Sequence, residues 1–324
     1  MKVGLTSTIP VEVLFAAGVV PVDLNNLFIA RDDAIELLEV AERAGYPRNV
    51  CGWIKGIYGA VLRQRDIRTV VAVTQGDCSN THALMETLEL EGVKIIPFAY
   101  PYDRDRRLLQ AQIERLMEYF GVDWAAVNAA QARLDEVREK VREIDRLTYA
   151  EDKVTGTENH YYQVCCSDFQ GDIEGYSRKV SAFLEEVRKR PSKPVRTRLG
   201  YIGVPPIFTD LYSYIEDRGA RVVFNETQRQ FAMPFEKVNL VEQYLLYTYP
   251  YGIFYRLEDI SRELERRGIT GVIHYAQSFC FRQIEDMIIR RVLKVPVLTI
   301  EGDRPGPLDG RTRVRIDAFL EMLV

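Results

Sequence analysis

Hydrophobic residues in this chain form two kinds of pattern, short apolar runs and longer stretches with helical spacing. The short runs have four to six residues, and many are rich in β-branched side chains, which is typical of strands buried in a parallel sheet. They lie at Lys2–Leu5, Val19–Val22, Thr69–Thr74, Lys94–Phe98, Leu199–Val204, Arg221–Asn225, Gly271–Tyr275 and Val295–Ile300. Because helical segments separate these runs, the pattern predicts an α/β fold with parallel sheets.

A long, charged stretch separates the first four runs from the last four. From Arg104 to about Arg146 the apolar spacing is helical, and acidic–basic pairs four residues apart support a solvated helical face. Helical spacing returns at Ile173–Arg190. The polar and aromatic segment between them, Glu151–Asp172, predicts a loop-like interruption, and Pro191–Pro194 predicts a linker.

These patterns predict an N-terminal α/β domain over 1–103, a helical connecting region over 104–194 and a C-terminal α/β domain over 195–324. Both α/β domains are expected to be Rossmann-like, with their parallel sheets facing a central crevice. A chain of 324 residues is long enough for two such domains, each with a sizeable core. The aromatic segment Tyr244–Tyr255 is expected to pack on the helical region.

The stretch from Gly271 to Asp303 reads as a strand, a loop ending at Cys280, a helix over roughly Phe281–Leu293 and a second strand. Such a βαβ unit implies parallel neighbouring strands and a right-handed crossover. Cys280 then lies at the carboxyl end of a strand, where open α/β sheets bind ligands. A thiol facing the start of a helix has a lowered pKa. We therefore interpret Cys280 as a metal ligand.

Two further cysteines, Cys51 and Cys78, share this predicted setting, because each precedes a helix and Cys78 also follows a strand. If the two α/β halves face each other, the three thiols can converge. None belongs to a CxxC pair, which argues against a zinc ribbon and against a ferredoxin-type run. Three thiolates without a nearby histidine pair fit an iron–sulfur cluster with one iron open to substrate. The alternative is three separate core cysteines, since buried thiols pack as small hydrophobic groups.

Composition narrows the class of protein. A net charge of −4 gives no reason to expect nucleic acid as a partner, and no apolar run is long enough to span a bilayer. The N-terminus has no charged-then-apolar leader, so a cytoplasmic location is expected. Five cysteines, an odd number, do not indicate a disulfide scaffold.

Seven pieces of the chain, in this order and spacing, carry a resemblance to a known family. They are Thr6–Leu24, the helix start at Cys51, Thr74–Thr81, Tyr201–Pro206, Ser278–Cys280, Val295–Asp303 and Arg311–Leu323. Over nearly its whole length the chain resembles the iron–sulfur subunits of the 2-hydroxyacyl-CoA dehydratase and benzoyl-CoA reductase family, which includes the double-cubane-cluster reductases.

The resemblance implies two Rossmann-like domains and a [4Fe–4S] cluster held by Cys51, Cys78 and Cys280. It also implies oxygen-sensitive chemistry and a separate ATP-hydrolysing iron–sulfur activator protein that injects a low-potential electron. No P-loop occurs in the chain, which agrees with the ATPase being another protein. A dimer is expected, either homomeric or with a paralogous subunit.

The vicinal pair Cys165–Cys166 is not required by a three-cysteine pattern. The double-cubane members carry an [8Fe–9S] cluster, which needs more thiolates, so one or both of these cysteines are candidate additional ligands. The alternative is that one packs in the core while the other points away.

Candidate catalytic residues lie beside Cys280. His274 is in the strand leading to it, Ser278 is in the loop, and Glu301 follows the next strand at its carboxyl end. Each also has a plain structural interpretation, as a buried histidine, a loop residue or a solvated turn. The expected function is the iron–sulfur component of a low-potential reductase or 2-hydroxyacyl-CoA dehydratase system. The alternatives are a double-cubane-type reductase of small molecules, a non-catalytic electron-transfer subunit, or a cofactor-free binding protein.

Overall fold

The computed structural model describes residues 1–235 and 238–324. The chain forms two compact units, each assembled from three segments. The first unit comprises Met1–Arg138, Cys165–Ser177 and Met233–Gly252, and the second comprises Glu139–Val164, Arg178–Ala232 and Ile253–Val324. Among the described residues, no helix is both long and apolar enough to cross a membrane.

The sheet of the first unit is parallel throughout and has the order β2-β1-β3-β4. Its strands are β1 (Lys2–Leu5), β2 (Val20–Asp23), β3 (Ile67–Gln75) and β4 (Lys94–Ala99). The residues from Val70 to Val73 of β3 are fully buried, as expected for a central strand covered on both faces. The four apolar runs at the start of the chain are therefore confirmed as strands.

The second unit repeats this arrangement with the order β6-β5-β7-β8, again all parallel. Its strands are β5 (Thr197–Gly203), β6 (Ala220–Asn225), β7 (Gly271–Gln277) and β8 (Val297–Gly302). The parallel pairing of β7 with β8 confirms the predicted βαβ unit. In both sheets the third strand pairs with the first, so the chain reverses its direction of winding between those two strands. The predicted α/β class with two Rossmann-like sheets is thus confirmed.

The other regular elements of the described chain are helices. They are α1 (Val11–Ala16), α2 (Leu24–Ile29), α3 (Ala34–Arg43), α4 (Gly52–Arg63), α5 (Asn80–Leu90), α6 (Arg106–Phe120), α7 (Trp124–Tyr149), α8 (Gly156–Val164), α9 (Ile173–Arg188), α10 (Leu211–Glu216), α11 (Glu226–Phe231), α12 (Leu240–Leu246), α13 (Ile253–Arg266), α14 (Asp286–Val292) and α15 (Gly310–Met322). Short 3₁₀ turns occur at Cys165–Ser167, Phe169–Gly171 and Phe281–Glu285.

Two details of the predicted helical region differ from the structure. The long helical pattern is broken at Gly121, whose φ of 69° ends α6 in the left-handed conformation that glycine favours. The prediction of a loop over Glu151–Asp172 is wrong, because this segment contains α8 and two 3₁₀ turns. Asn159 and Gln163 are fully buried in α8, so its inner face is polar and gives no hydrophobic periodicity.

Helix α4 packs unusually closely on its neighbours through two glycines. A Cβ atom on Gly56 would lie 2.5 Å from the ring of Phe28 on α2, and one on Gly59 would lie 2.3 Å from the backbone oxygen of Leu37 on α3. A side chain at Gly59 would have to push α4 away from the backbone of α3, and one at Gly56 would have to displace either the buried Phe28 ring or the helix. The two glycines therefore set how closely α4 approaches α2 and α3.

Candidate functional site

Cys78 and Cys280 occupy equivalent places in the two units. Each lies three positions after the last residue of the third strand, Gln75 in β3 and Gln277 in β7. Because the third strand pairs with the first in each sheet, both loops lie at the switch point of a parallel sheet, where α/β proteins bind ligands. The predicted placement of both cysteines at strand carboxyl ends is confirmed.

Cys51 directly precedes α4 and is 6% exposed. One turn into the helix, the buried ammonium group of Lys55 contacts Glu42 Oε1 at 2.9 Å and the carbonyl oxygen of Arg48 at 3.1 Å. The carboxylate compensates the lysine charge, and the second contact ties down the loop before the helix. The chain entering Cys51 is therefore held by a buried ion pair as well as by packing.

Cys51 and Cys78 share one apolar neighbourhood. Cys51 belongs to a buried cluster that includes Leu84 and Leu88 of α5, and Cys78 packs against the same cluster. The helices that begin after the two cysteines, α4 and α5, are also joined by a hydrogen bond of 3.2 Å from Tyr58 Oη to Glu91 Oε1. Burial and the Glu91 charge raise the pKa of Tyr58 to about 12, so this phenol stays a donor at neutral pH.

The loop before Cys78 is fixed by close packing. Gly76 has a φ of 97°, and a Cβ atom there would lie 2.8 Å from Cβ of Pro250 and 2.9 Å from Cβ of Tyr100. Pro250 belongs to the aromatic segment, and the α12 portion of that segment packs on α6, where Arg106 Nε lies 2.6 Å from Glu242 Oε1. The predicted packing of this segment on the helical region is confirmed for α12.

The loop before Cys280 is fixed by hydrogen bonds. The amide of Cys280 donates to the carbonyl oxygen of Gln277 at 3.1 Å, and the amide of Ser278 donates to that of Gly302, at the end of β8, at 2.8 Å. Phe279, inside this turn, has a φ of 63°, a conformation that bulky L-residues rarely adopt. The helix predicted to follow begins as the 3₁₀ turn Phe281–Glu285 before α14.

Two of the three candidate catalytic residues are in direct contact. The Ser278 hydroxyl donates to Glu301 Oε1 at 2.8 Å, and Gln283 Nε2 approaches the same oxygen at 3.3 Å. Ser278 is buried, whereas Glu301 is exposed at the end of β8. This exposed carboxylate is thus oriented by a buried hydroxyl beside the Cys280 loop.

The third candidate, His274, is bound to α14. Its Nδ1 lies 2.8 Å from Asp286 Oδ1, and Asp286 also accepts hydrogen bonds from Thr299 and Arg290. Burial by itself would raise the pKa of Asp286, but these hydrogen bonds hold it well below its usual value. The arrangement stabilises the packing of α14 on the sheet.

Cys165 and Cys166 form a buried 3₁₀ turn in the first unit, which also contains Cys51 and Cys78. Gln170 Nε2 lies 3.4 Å from Cys165 Sγ. The carboxyl group of Asp168, two residues after Cys166, accepts hydrogen bonds from the backbone amides of Asp23 at 2.8 Å and Gln170 at 2.9 Å. Burial, reinforced by the charge of Asp23, raises the pKa of Asp168 to about 7.

Comparison with known protein families shows to which family this chain belongs. The model of the 2-hydroxyglutaryl-CoA dehydratase D-component family matches residues 6–323. The chain belongs to this family. Comparison with curated proteins gives no match.

The D-component family is iron–sulfur-binding, and membership supports a component of a 2-hydroxyacyl-CoA dehydratase-type system with a separate activator partner. Over 1–235 and 238–324, no three His, Cys, Asp or Glu side chains form a group that could hold a metal ion. Cys51 is buried and Cys78 is partly buried against the same apolar cluster, and thiolates are the ligands that iron–sulfur clusters take. The two thiols are thus chemically suited to such a cofactor, while the described residues form no complete ligand set.

Sequence reasoning missed a polar segment at the carboxyl end of β6. From Asn225 to Gln230 every side chain is polar and buried. Thr227 Oγ1 donates to the carbonyl oxygen of Gly203 at 2.8 Å, and Glu226 accepts the amide of the same glycine at 2.8 Å. The available signal was a run of six polar residues that begins at the last residue of a strand, at the edge where parallel α/β sheets bind ligands.

Arg256 connects this segment with the residues after Cys280. Its guanidinium group is 1% exposed, lies 2.6 Å from Glu226 Oε1 and also contacts Glu285, which in turn lies 3.3 Å from Arg282. Burial by itself would raise the pKa of Glu226, but the Arg256 charge lowers it below its usual value. A buried chain of ion pairs therefore joins α11, α13 and the 3₁₀ turn following Cys280.

His160 lies in the same unit, stacked on Tyr212 with ring centroids 4.7 Å apart. Its Nδ1 is 3.2 Å from both Tyr212 Oη and Gln228 Nε2. Burial lowers its pKa to about 4, so the imidazole is neutral at physiological pH. These contacts give His160 a structural role in packing α8 against α10 and α11.

Proposed function

We propose that this chain is the cluster-carrying subunit of a 2-hydroxyacyl-CoA dehydratase-type system. In this proposal the thiolates of Cys51, Cys78 and Cys280 hold a [4Fe–4S] cluster, which receives electrons from an ATP-hydrolysing activator. The observation that supports it best is the equivalent position of Cys78 and Cys280 at the two switch points, in a chain of this family. The shared apolar packing of Cys51 and Cys78 adds to it, because burial protects such cofactors from solvent.

A bound cluster of this type would supply low-potential one-electron transfer and Lewis-acid chemistry at an open iron. Glu301 is exposed at the end of β8 and can exchange a proton with a bound molecule. Ser278 orients that carboxylate through its hydrogen bond. His274 contributes indirectly in this proposal, by holding α14 in place through Asp286.

Anaerobic purification followed by iron and sulfide analysis tests the ligand assignment. The intact protein is expected to be brown, with about four irons per chain. Cys51→Ala, Cys78→Ala and Cys280→Ala should each lose cluster content, whereas His160→Ala, as the control, should keep it. A Cys78→Ala protein with a full iron content and unchanged visible spectrum would falsify the assignment.

The second candidate is a double-cubane protein with an [8Fe–9S] cluster. It is favoured by Cys165 and Cys166, which are buried in the same unit as Cys51 and Cys78. It predicts about eight irons per chain, and a loss of roughly half of the iron in Cys165→Ser or Cys166→Ser. An unchanged iron content in both variants would favour the four-iron proposal.

The catalytic role is tested with the activator present. A catalytic subunit should dehydrate a 2-hydroxyacyl-CoA when it is combined with an activator, ATP and a reductant. A purely electron-transferring subunit would be reduced by the activator but would turn over no thioester. We further propose that the active species is a dimer, either homomeric or with a paralogous subunit, which analytical ultracentrifugation under anaerobic conditions would establish.

A further inference from the structure

The turn that carries Cys280 adopts a conformation that its own sequence disfavours. Phe279 lies at the third position of the turn Gln277–Cys280 with a φ of 63°, where turns of this kind normally have glycine. A left-handed backbone is unfavourable for a residue that carries a side chain. Such a conformation persists only where the surrounding structure enforces it.

Two sets of hydrogen bonds enforce this turn. The first joins it to β8, through the Ser278 amide to Gly302 and the Ser278 hydroxyl to Glu301. The second fixes the side chain of Gln277, which accepts from Tyr275 Oη at 2.6 Å and donates to the carbonyl oxygen of Asp303 at 3.3 Å. Both sets act on residues that precede Cys280.

Gln283, in the segment after Cys280, contacts both the turn and the carboxylate of Glu301 on β8. Its Nε2 donates to the carbonyl oxygen of Gln277 at 3.0 Å and lies 3.3 Å from Glu301 Oε1. The same Gln277 carbonyl accepts the amide of Cys280, and the Gln283 amide donates to the carbonyl oxygen of Cys280 at 3.2 Å. One side chain thus contacts the backbone of the turn and the carboxylate beside it.

We propose that Gln283 is a positioning residue that holds the Cys280 turn and the Glu301 carboxylate in a fixed relation to each other. It acts by donating from one amide nitrogen to two acceptors that belong to different strands, β7 and β8. A glutamate at this position would present a second carboxylate to Glu301, and a methionine would present no donor. The inference deepens the proposed function, on which its relevance to catalysis rests, but the positioning itself concerns the chain alone.

The test measures the reactivity of Cys280 in the metal-free, full-length protein. Iodoacetamide alkylation is followed over time by peptide-resolved mass spectrometry, and Cys78 serves as the internal reference. Loss of a hydrogen bond worth about 1 kcal/mol corresponds to about a fivefold change, so Gln283→Met should speed alkylation of Cys280 about fivefold. The rate at Cys78 should stay the same.

A matched control is Gln110→Met, because Gln110 Nε2 also donates to a glutamate, Glu114, at 2.8 Å, but on the exposed surface of α6. It should leave the rates at both cysteines unchanged. Gln283→Leu also lacks a donor and adds no charge that would change the thiolate fraction of Cys280, so it should likewise speed the reaction there. It covers the case of a poorly folding methionine variant. A purely structural role for Gln283 would lower the unfolding midpoint and leave the ratio of Cys280 to Cys78 reactivity unchanged.

The proposal is overturned if Cys280 in both Gln283 variants reacts within twofold of the unaltered protein. This outcome is independent of iron content, since the protein is assayed without metal. Conversely, a protein that binds no iron but shows the expected change in Cys280 reactivity would remove the proposed function and leave the positioning role of Gln283 intact.

Discussion

The loops that carry Cys78 and Cys280 lie at the same point of two sheets with the same strand order, yet different forces hold them. In the first unit, Gly76 fits against Pro250 and Tyr100 with no room for a side chain. In the second unit, the backbone bends at a phenylalanine, and hydrogen bonds to β8 keep it there. Strand order therefore decides where each of these loops lies, while the interactions that fix the loop can differ.

Two buried carboxyl groups, one in each unit, have opposite electrostatic surroundings. In the second unit, the Glu226 carboxylate is paired with Arg256, which is buried between Glu226 and Glu285. The buried carboxyl beside the Cys165–Cys166 pair of the first unit, Asp168, accepts backbone amides and lies near the like charge of Asp23. The contributions of these two carboxyl groups to stability should therefore change in opposite directions on acidification.

The largest effect is expected for Arg256→Met. Removing this guanidinium group leaves Glu226 and Glu285 without their buried partner, and breaking a buried ion pair typically costs about 3–5 kcal/mol. The free energy of unfolding of the second unit, measured by hydrogen exchange of its peptides in urea, should fall by that amount. Arg106→Met, measured in the peptides of the first unit, is the control, because the pair of Arg106 with Glu242 is exposed and such pairs are worth less than about 1 kcal/mol. Equal losses of stability in the two variants would show that burial does not strengthen the Arg256 pair.

The opposite pH responses can be tested with Asp168→Asn. A carboxyl whose pKa rises from 3.8 to about 7 on folding binds more protons in the folded chain, so it favours folding at low pH and that contribution is lost as the pH rises through 7. The contribution of Asp168 to the stability of the first unit should fall by about 3 kcal/mol between pH 4 and 7, and the substitution should abolish this fall. Urea unfolding followed by tryptophan fluorescence measures the stability of the first unit at each pH, since Trp53 and Trp124 both belong to that unit.

The second unit supplies the control for the pH experiment. The pKa of Asp286 is lowered on folding, so its contribution is present above the unfolded value and is lost as the pH falls through the folded one. Asp286→Asn should therefore reduce the acid sensitivity of second-unit peptides and leave the slope measured by tryptophan fluorescence unchanged. If both substitutions changed the pH dependence of stability in the same direction, Asp168 and Asp286 would not differ in the way their pKa shifts indicate.

Gly76→Ala tests the packing of the Cys78 loop. The substitution combines a left-handed backbone with contacts under 3 Å to Pro250 and Tyr100, and it should destabilise the first unit by about 2 kcal/mol. Gly92→Ala is the matched control, because Gly92 has a φ of 77° and nothing within 4 Å of the added Cβ, so only the backbone cost of about 1 kcal/mol applies. Urea midpoints that coincide for the two variants would show that close packing does not hold this loop.

The smallest effect is expected for Phe279→Gly. Glycine tolerates the left-handed conformation, and the phenyl ring that it removes is 51% exposed, so stability should rise by about 0.5 kcal/mol. Phe281→Gly removes a ring of similar exposure, 46%, from the following turn and should instead lower stability. Thermal unfolding of the two variants provides the measurement. Destabilisation of equal size in both would argue that the turn at Phe279 carries no strain.

Much of this fold can be predicted from the sequence because its central strands are continuous apolar runs. The same runs place Cys78 and Cys280, since the loop after a buried parallel strand has to lie at the carboxyl edge of its sheet. Helix α8 and the segment from Asn225 to Gln230 could not be found this way, because their buried faces are polar and follow no hydrophobic period. Their partners are distant in sequence, as Arg256 and Glu226 show, and only the folded chain pairs them.

The glycines of α4 have a consequence for Cys51 that extends well beyond their own contacts. Gly59 lies eight residues after the cysteine, about 12 Å along the helix axis, and carries no functional group. Because α4 is rigid and Gly59 packs directly on the backbone of Leu37, a single methyl group at position 59 would displace the whole helix, including the end next to Cys51. The position of the Cys51 thiol is in this way set by a residue that has no functional group, so substitution of Gly59 should shift that thiol as well as loosen the helix packing.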